Sequence, residues 1–281
     1  MSELTNKIIQ DIKKTGFPFE LKAAEIIKKC DWTLSYNNFY IDKDENKGRE
    51  IDLIAECTVA TEDFNSTHFV ETSMIFPIEL KQANQHPWIF FTTEQNVYEK
   101  FHDFYSIIKH ESGFNSSHGN RIRFIQEITN YQGRLARSFY EAFTRNAGRD
   151  DIFKALTGVV KALEHLYESS YLRPREGSGD INDIEDDDPF YSHFLQLYEP
   201  VIIFRGELFE ARVDEEDVIV KDTDYVLVSF NYISPYYNRE SSYLVHIVKE
   251  EYVEEFFREK KNGLHKLHAM LTDSEYEVVS L

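Results

Sequence analysis

Arg49-Glu50-Ile51-Asp52-Leu53-Ile54-Ala55 and Ile78-Glu79-Leu80-Lys81 are the stretches on which the fold turns. Each sets an acid inside a run of aliphatic residues, the composition of a largely buried strand. Around them, Glu50 to Phe64 and Phe69 to Gln82 read as two long strands joined by Asn65-Ser66-Thr67-His68. Asn65-Ser66 is the best two-residue turn available. With that turn, paired positions sum to 131 and Asp52 falls opposite Glu79. Opposed residues of a hairpin hold their Cβ atoms ~4.5–5.5 Å apart, close enough to share one cation.

Strand alternation adds a third group. Glu79 and Lys81 are two apart and point to one face, while Leu80 points to the other and leaves its backbone carbonyl as a further oxygen ligand. Two carboxylates and a carbonyl suit Mg²⁺, with Mn²⁺ as a substitute. The lysine beside them can orient or deprotonate a water, or offset charge on a phosphate. Two readings stay open: a cation sits between Asp52 and Glu79, or Lys81 neutralises the pair structurally. Glu-x-Lys by itself decides nothing, since it recurs at Glu20-Leu21-Lys22 and Glu259-Lys260-Lys261.

Working outward, Phe19 to Lys29 repeats apolar residues at helical spacing behind Pro18. Trp32 to Ile41 reads as an aromatic-rich strand, and Asp42 to Gly48 as a turn. From Glu94 to about Arg173 the pattern predicts a large helical insertion, and residues 174–189 an exposed acidic loop. Strand composition returns at Pro200 to Phe204, Tyr225 to Phe230 and Tyr243 to Val248, before an amphipathic helix over about 250–268. The expectation is one α/β domain over 1–281: core strands at about 32–91 and 199–249, an insertion at about 94–173, and helices flanking a mixed sheet.

The 281 residues, 42% hydrophobic and 15% aromatic, suffice for a substantial core. No apolar stretch approaches the ~18–20 residues of a membrane span, and the N-terminus lacks a signal-peptide layout. With only Cys30 and Cys57, neither a disulfide framework nor a cysteine zinc site is expected, so a cytoplasmic location is the default. His265 and His268 lack further zinc ligands nearby. The net charge of −19 opposes nucleic-acid binding, but it is uneven. Residues 120–149 carry six arginines against Glu127 and Glu141, whereas Glu176 to Asp188 holds seven acids and no base. Arg134, Arg137 and Arg145 are the candidates for a phosphate-contacting helical face; the alternative is surface ion pairing with Glu127 and Glu141. Trp88 and Phe90 read as core, Phe91 with them, and Glu56 as a residue that merely lines its strand.

Taken together, Glu20 on the first helix, Arg49 to Ala55 and Ile78 to Lys81 resemble the PD-(D/E)xK nuclease superfamily, the restriction-endonuclease-like fold of Holliday-junction resolvases and Mrr-type bacterial enzymes. The resemblance covers about residues 17–91. In that family the helix ends before a Gly-aromatic pair; here Asp31-Trp32 stands in its place. It implies Asp52 and Glu79 as metal ligands, Lys81 as the catalytic lysine and Glu20 as a supporting acid. The implied function is a Mg²⁺-dependent endonuclease, with DNA preferred over RNA as substrate, in restriction or defence against foreign DNA. The acidic charge implies a protein partner or homo-oligomer. The alternative is a catalytically inactive nuclease-fold protein that serves as a partner-binding or regulatory subunit.

Overall fold

The computed structural model describes residues 2–61, 68–94, 108–112, 134–144, 150–171, 191–215, 217–238 and 242–272. An antiparallel meander of β1 (Thr33–Asp42), β2 (Lys47–Ala60) and β3 (His68–Glu94) opens the sheet. Every β2–β3 pair, from Ala60 with Glu71 to Leu53 with Ile78, keeps the sum of 131. That is the register expected from an Asn65-Ser66 turn, although residues 62–67 lie outside the described residues.

At 27 residues, β3 is far longer than its sequence suggested, because several partners hold it. Its first part pairs in parallel with β6 (Tyr191–Tyr198), and its second part with β7 (Val201–Asp214). Its last residues pair antiparallel with β5 (Arg134–Glu141), while β4 (Ile108–Ser112) pairs with β6. Gly206 lies at φ 156° where β3 and β7 lose register; a Cβ there would come 2.5 Å from the Ala83 carbonyl oxygen. β8 (Asp217–Asp222) forms a hairpin with β7, and β10 (Ser242–Lys249) joins β7 in parallel and β9 (Tyr225–Asn231) antiparallel. One pair, Ala136 with Val228, links β5 to β9, so the pairings β3–β7–β10–β9–β5 close on themselves. Val201 to Phe204, expected as the further core strand, is fully buried at this centre.

Helices cover both faces. α1 (Glu3–Ile12) contributes no buried residue. α2 (Phe17–Lys29) and α4 (Val253–Thr272) cover Leu53, Ala55, Phe76 and Ile78 through Phe19, Ala24, Ile27, Phe256 and Phe257. α3 (Asp150–Tyr171) covers Trp88, Phe90, Ile202 and Phe204 from the opposite side through Ile152, Leu156, Val159 and Leu163. Each large side chain buried this way contributes roughly 1.5–3 kcal/mol of transfer free energy. Trp32 joins α4 to the sheet: its indole N–H donates to the Phe257 carbonyl at 3.1 Å and its ring stacks on Phe76.

The helical insertion expected at 94–173 is corrected. Among the described residues of that segment only Asp150–Tyr171 is helical; Ile108–Ser112 and Arg134–Glu141 are strands. Arg134 to Glu141 is extended because the edge of β3 offers it unpaired backbone groups, a long-range partner that local spacing does not reveal. The acidic stretch 174–189 lies outside the described residues. The result is a mixed α/β fold with a large mixed sheet flanked by helices. Among the described residues no helix is long and apolar enough to cross a membrane.

Candidate active site

The β2–β3 ladder ends at Leu53–Ile78, one step before Asp52 and Glu79. At this point β2 leaves β3. The cause is visible on β1, where Asn37 takes a left-handed φ of 53° and the β1–β2 pairing skips Asn37–Asp52. Before the break, Tyr36 and Leu53 pack towards α2 and α4; after it, Tyr40 and Ile51 pack on Ala162 of α3. Asp52 therefore sits where two strands exchange faces, and its side chain takes over the lost ladder bond. Its Oδ2 accepts from the Leu80 N–H at 2.7 Å. A strand residue presents its N–H and C=O to the same edge, so the Leu80 carbonyl also faces the opening beside Asp52.

Lys81 Nζ donates to Glu79 Oε1 at 2.5 Å, as their shared face requires. Glu79 is 19% exposed and Lys81 36%, so the pair is open to solvent on one side. Below it, Gly158 of α3 leaves room: a Cβ at that position would lie 3.9 Å from Glu79 Oε2. The Tyr40 hydroxyl donates to the Gly158 carbonyl and has a raised pKa, through burial first, with Asp42 and Glu79 adding to it.

Glu20 stands in the first turn of α2, half buried. Burial, then Asp52 and then Glu50 push its carboxyl up. Asp52 is raised by burial, against the Leu80 N–H and Lys81, which pull it down. Glu79 is raised by burial and by Asp52, with Lys81 opposing. Three acids on three elements thus share a field that disfavours their charge, the condition that a bound cation relieves. Among the described residues no group of three or more His, Cys, Asp or Glu side chains could hold a metal.

Sequence reasoning missed the residues that tune and brace this site. Glu50 raises both Glu20 and Asp52, and Arg49 lowers Glu79. Their only sequence signal was adjacency to Asp52. α2 is held by Glu250, which accepts from Lys22 Nζ at 2.7 Å and from both Nε and, at 2.8 Å, Nη2 of Arg205. The Arg205 guanidinium lies 4.1 Å from the centre of the Phe19 ring. Glu250 is 228 positions from Lys22 in the chain, and neither it nor Arg205 left a local trace.

The structure places Arg134 and Arg137 on β5 and not beside Lys81. Arg134 pairs with Glu94 on β3, thirteen positions beyond Lys81 on the same strand. Instead of a helical face, Arg134 lies on β5, where it donates to Glu210, Thr92 Oγ1 and the Thr92 carbonyl. Arg137 is the extra residue of a bulge, since Phe91 pairs with Ser138 and Thr92 with Ala136. Arg145 lies outside the described residues. Burial and then Glu71 push the Glu56 carboxyl up against the pull of Thr58, and Asp52 is not among the causes. Trp88 and Phe90 are core, with Trp88 stacked on Phe204 at 4.2 Å.

A second carboxylate–lysine cluster lies deep under α4. Glu199 Oε2 accepts from His246 Nε2 at 2.5 Å and from Lys260 Nζ at 2.7 Å, and the Tyr225 hydroxyl meets His246 Nδ1 at 2.8 Å. Glu199 and His246 are fully buried. Lys260 and His246 hold the Glu199 carboxyl far below its usual range against the burial penalty, while burial and Lys260 push His246 down to about 4.

No family model, curated protein or solved structure matches the chain.

Proposed function

We propose that this protein is a Mg²⁺-dependent phosphodiesterase with a restriction-endonuclease-like core, acting on nucleic acid at the end of the β2–β3 ladder. One observation carries the reading. Asp52, Glu79 and the Leu80 carbonyl converge where the ladder opens, next to a lysine and with both carboxyls raised.

In this reading Asp52, Glu79 and the Leu80 carbonyl would hold the cation, which would supply Lewis acidity towards a phosphate oxygen. Lys81 Nζ, steered by Glu79 Oε1, orients the attacking water and offsets charge building on the phosphate. Glu20, its carboxyl pushed up by burial and then by Asp52, positions a water at the α2 side of the opening. DNA is the preferred substrate, with restriction or defence in the cytoplasm as the setting; these follow from the resemblance of residues 17–91. Besides Lys81, Arg49 is a cation that acts on Glu79. A protein of this net charge then needs help in holding DNA.

The test is cleavage of plasmid and single-stranded DNA, with RNA in parallel, in Mg²⁺ or Mn²⁺, comparing wild type with Glu79→Ala and Lys81→Ala. Wild-type cleavage that both substitutions abolish supports the reading, and cleavage that survives both overturns it. Absence of cleavage by well-folded wild type, with candidate partners present, favours the inactive, partner-binding alternative.

A further inference from the structure

At the far end of β3 three arginines come round one cleft. Phe91 of β3 pairs with Ser138 of β5 on one side and with Ala211 of β7 on the other. Arg137 and Arg212, each one residue from those partners, therefore flank β3 on strands roughly 10 Å apart, near enough for two long side chains to reach one small ligand. Together with Arg134, Glu94 and Asp214 they line a cleft of about 470 Å³. Arg212 is its unusual member. Its Nε is buried without an acceptor, and among the described residues its guanidinium forms no ion pair. The cause lies two residues back on the same face of β7. Glu210, the acid on that side, is taken: Thr92 Oγ1 and Arg134 Nε both donate to its Oε1 at 2.5 Å. Asp214, two residues on, lies across from Asp217 in the β7–β8 hairpin. A buried guanidinium N–H without an acceptor is costly and rare, and it marks a place that a water or an ion completes.

We propose that this cleft binds a phosphate group, with Arg212 and Arg137 as its grip and Arg134 as a strut in its wall. A guanidinium presents a planar fork of N–H groups that matches two phosphate oxygens, and a tetrahedral anion accepts such forks from several directions at once. A planar carboxylate is satisfied by one fork and makes less use of two. Arg134 is already committed to Glu210 and, at 3.7 Å, to Glu94. The remaining charges lining the cleft are Arg137 and Arg212 against Asp214, a positive excess on a chain of net charge −19. The phosphate comes either from a nucleic-acid chain or from a small phosphate compound, and the probes below separate the two. The inference does not depend on the phosphodiesterase reading, because binding is measured without turnover.

The test uses the full chain in EDTA, with fluorescein-labelled single-stranded DNA followed by anisotropy, and inorganic phosphate and pyrophosphate followed by calorimetry. Wild type is expected to bind at least one probe. Arg212→Gln is expected to weaken that binding roughly tenfold or more. Arg212→Lys, which keeps the charge without the fork, should fall between the two. Arg137→Gln, at an exposed bulge where folding is not at stake, is expected to weaken binding several-fold. Arg258→Gln, at an exposed arginine of α4 paired with Glu254, should change nothing. Where DNA is the probe bound, the slope of log affinity against log salt is expected to shrink by about 0.7 in Arg212→Gln, one phosphate contact fewer. Binding of phosphate or pyrophosphate but not DNA supports the proposal with a small phosphate compound as the source. Wild type that binds none of the probes overturns it, as does binding indifferent to both Arg212→Gln and Arg137→Gln, or lost equally in Arg258→Gln. Poly-glutamate bound as tightly as the phosphate probes also overturns it, since the cleft then reads charge and not phosphate.

Discussion

Two places in this molecule bind a lysine ammonium to a carboxylate at nearly the same distance, and they do opposite things. At the end of the β2–β3 ladder, Lys81 holds Glu79, but Asp52, Glu20 and Glu50 crowd in behind it. Acids outnumber the base, the pair is partly open to water, and the carboxyls are raised. Under α4, Lys260 holds Glu199, with His246 and Tyr225 completing the set. There the charges balance, water is excluded, and the carboxyl is lowered. A balanced buried cluster locks α4 onto the sheet. The unbalanced, open one leaves its carboxyls raised, the property on which the proposed cation site rests.

Isosteric amides break this comparison most sharply. Asp52→Asn keeps an acceptor for the Leu80 N–H but removes a ligand charge, and cleavage is expected to fall by roughly 10²-fold or more in single-turnover assays. Its stability at neutral pH is expected to rise slightly. A carboxyl with a raised folded pKa favours the folded state only below its unfolded value, near 3.8, and loses that contribution as pH rises through the folded pKa. The gain of Asp52→Asn over wild type therefore vanishes in acid, which urea melts across the pH range will show.

Glu199→Ala should do the reverse, costing about 3–5 kcal/mol by stranding Lys260 in the core, while any cleavage by the folded fraction persists. Chemical denaturation with activity measured on the folded protein separates the two. The core cluster also has its own pH signature. His246 is neutral when folded down to about 4, whereas the unfolded side chain takes a proton near 6.5. Between those values the unfolded state binds more protons, so this contribution to stability falls as pH drops from 6.5 to about 4. His246→Gln is expected to flatten that slope.

A cation should sharpen the contrast. Mg²⁺ at tenfold its dissociation constant is expected to stabilise the folded chain by about 1.4 kcal/mol, a few degrees in Tm. The effect should disappear in Asp52→Asn, persist in His246→Gln and weaken in acid as protons compete for Asp52 and Glu79. A wild-type melt indifferent to Mg²⁺ and Mn²⁺ removes the basis for treating the two clusters differently. The smallest effect concerns the end of α2. Asp31 adopts a left-handed φ of 58°, the conformation that glycine takes freely, in the position where the resembled family has glycine. Its carboxylate bonds Lys261 Nζ at 2.9 Å on the surface, a contact of little net worth. Asp31→Gly should change stability by no more than about 1 kcal/mol in either direction, readable as a small Tm shift.

Asp52, Glu79 and Lys81 were legible because their arrangement is local. A period of two fixes which side chains share a face, and a short turn fixes which residues oppose, so the register of 131 and the Glu79–Lys81 contact follow from the chain itself. The ends of the strands were less legible than their centres, and Arg134 and Arg137, expected on a helix, lie on a strand. Arg134 to Glu141 becomes β5 only because β3 runs on to Glu94 and leaves an edge to fill, and that edge exists only when the rest of the sheet is assembled.

By itself, then, the sequence determined the meander, the central Val201 to Phe204 strand, the helices at Phe19 to Lys29 and near the C-terminus, and the meeting of two acids with a lysine. Tertiary structure alone decided that β2 swings away at Asp52, that Glu250 clamps α2 to β7 through Arg205, and that Glu199 pairs with His246 and Lys260. The division has one physical reason. Alternation and turns act over a few residues, whereas burial and charge balance depend on which distant segments the closed sheet finally brings together.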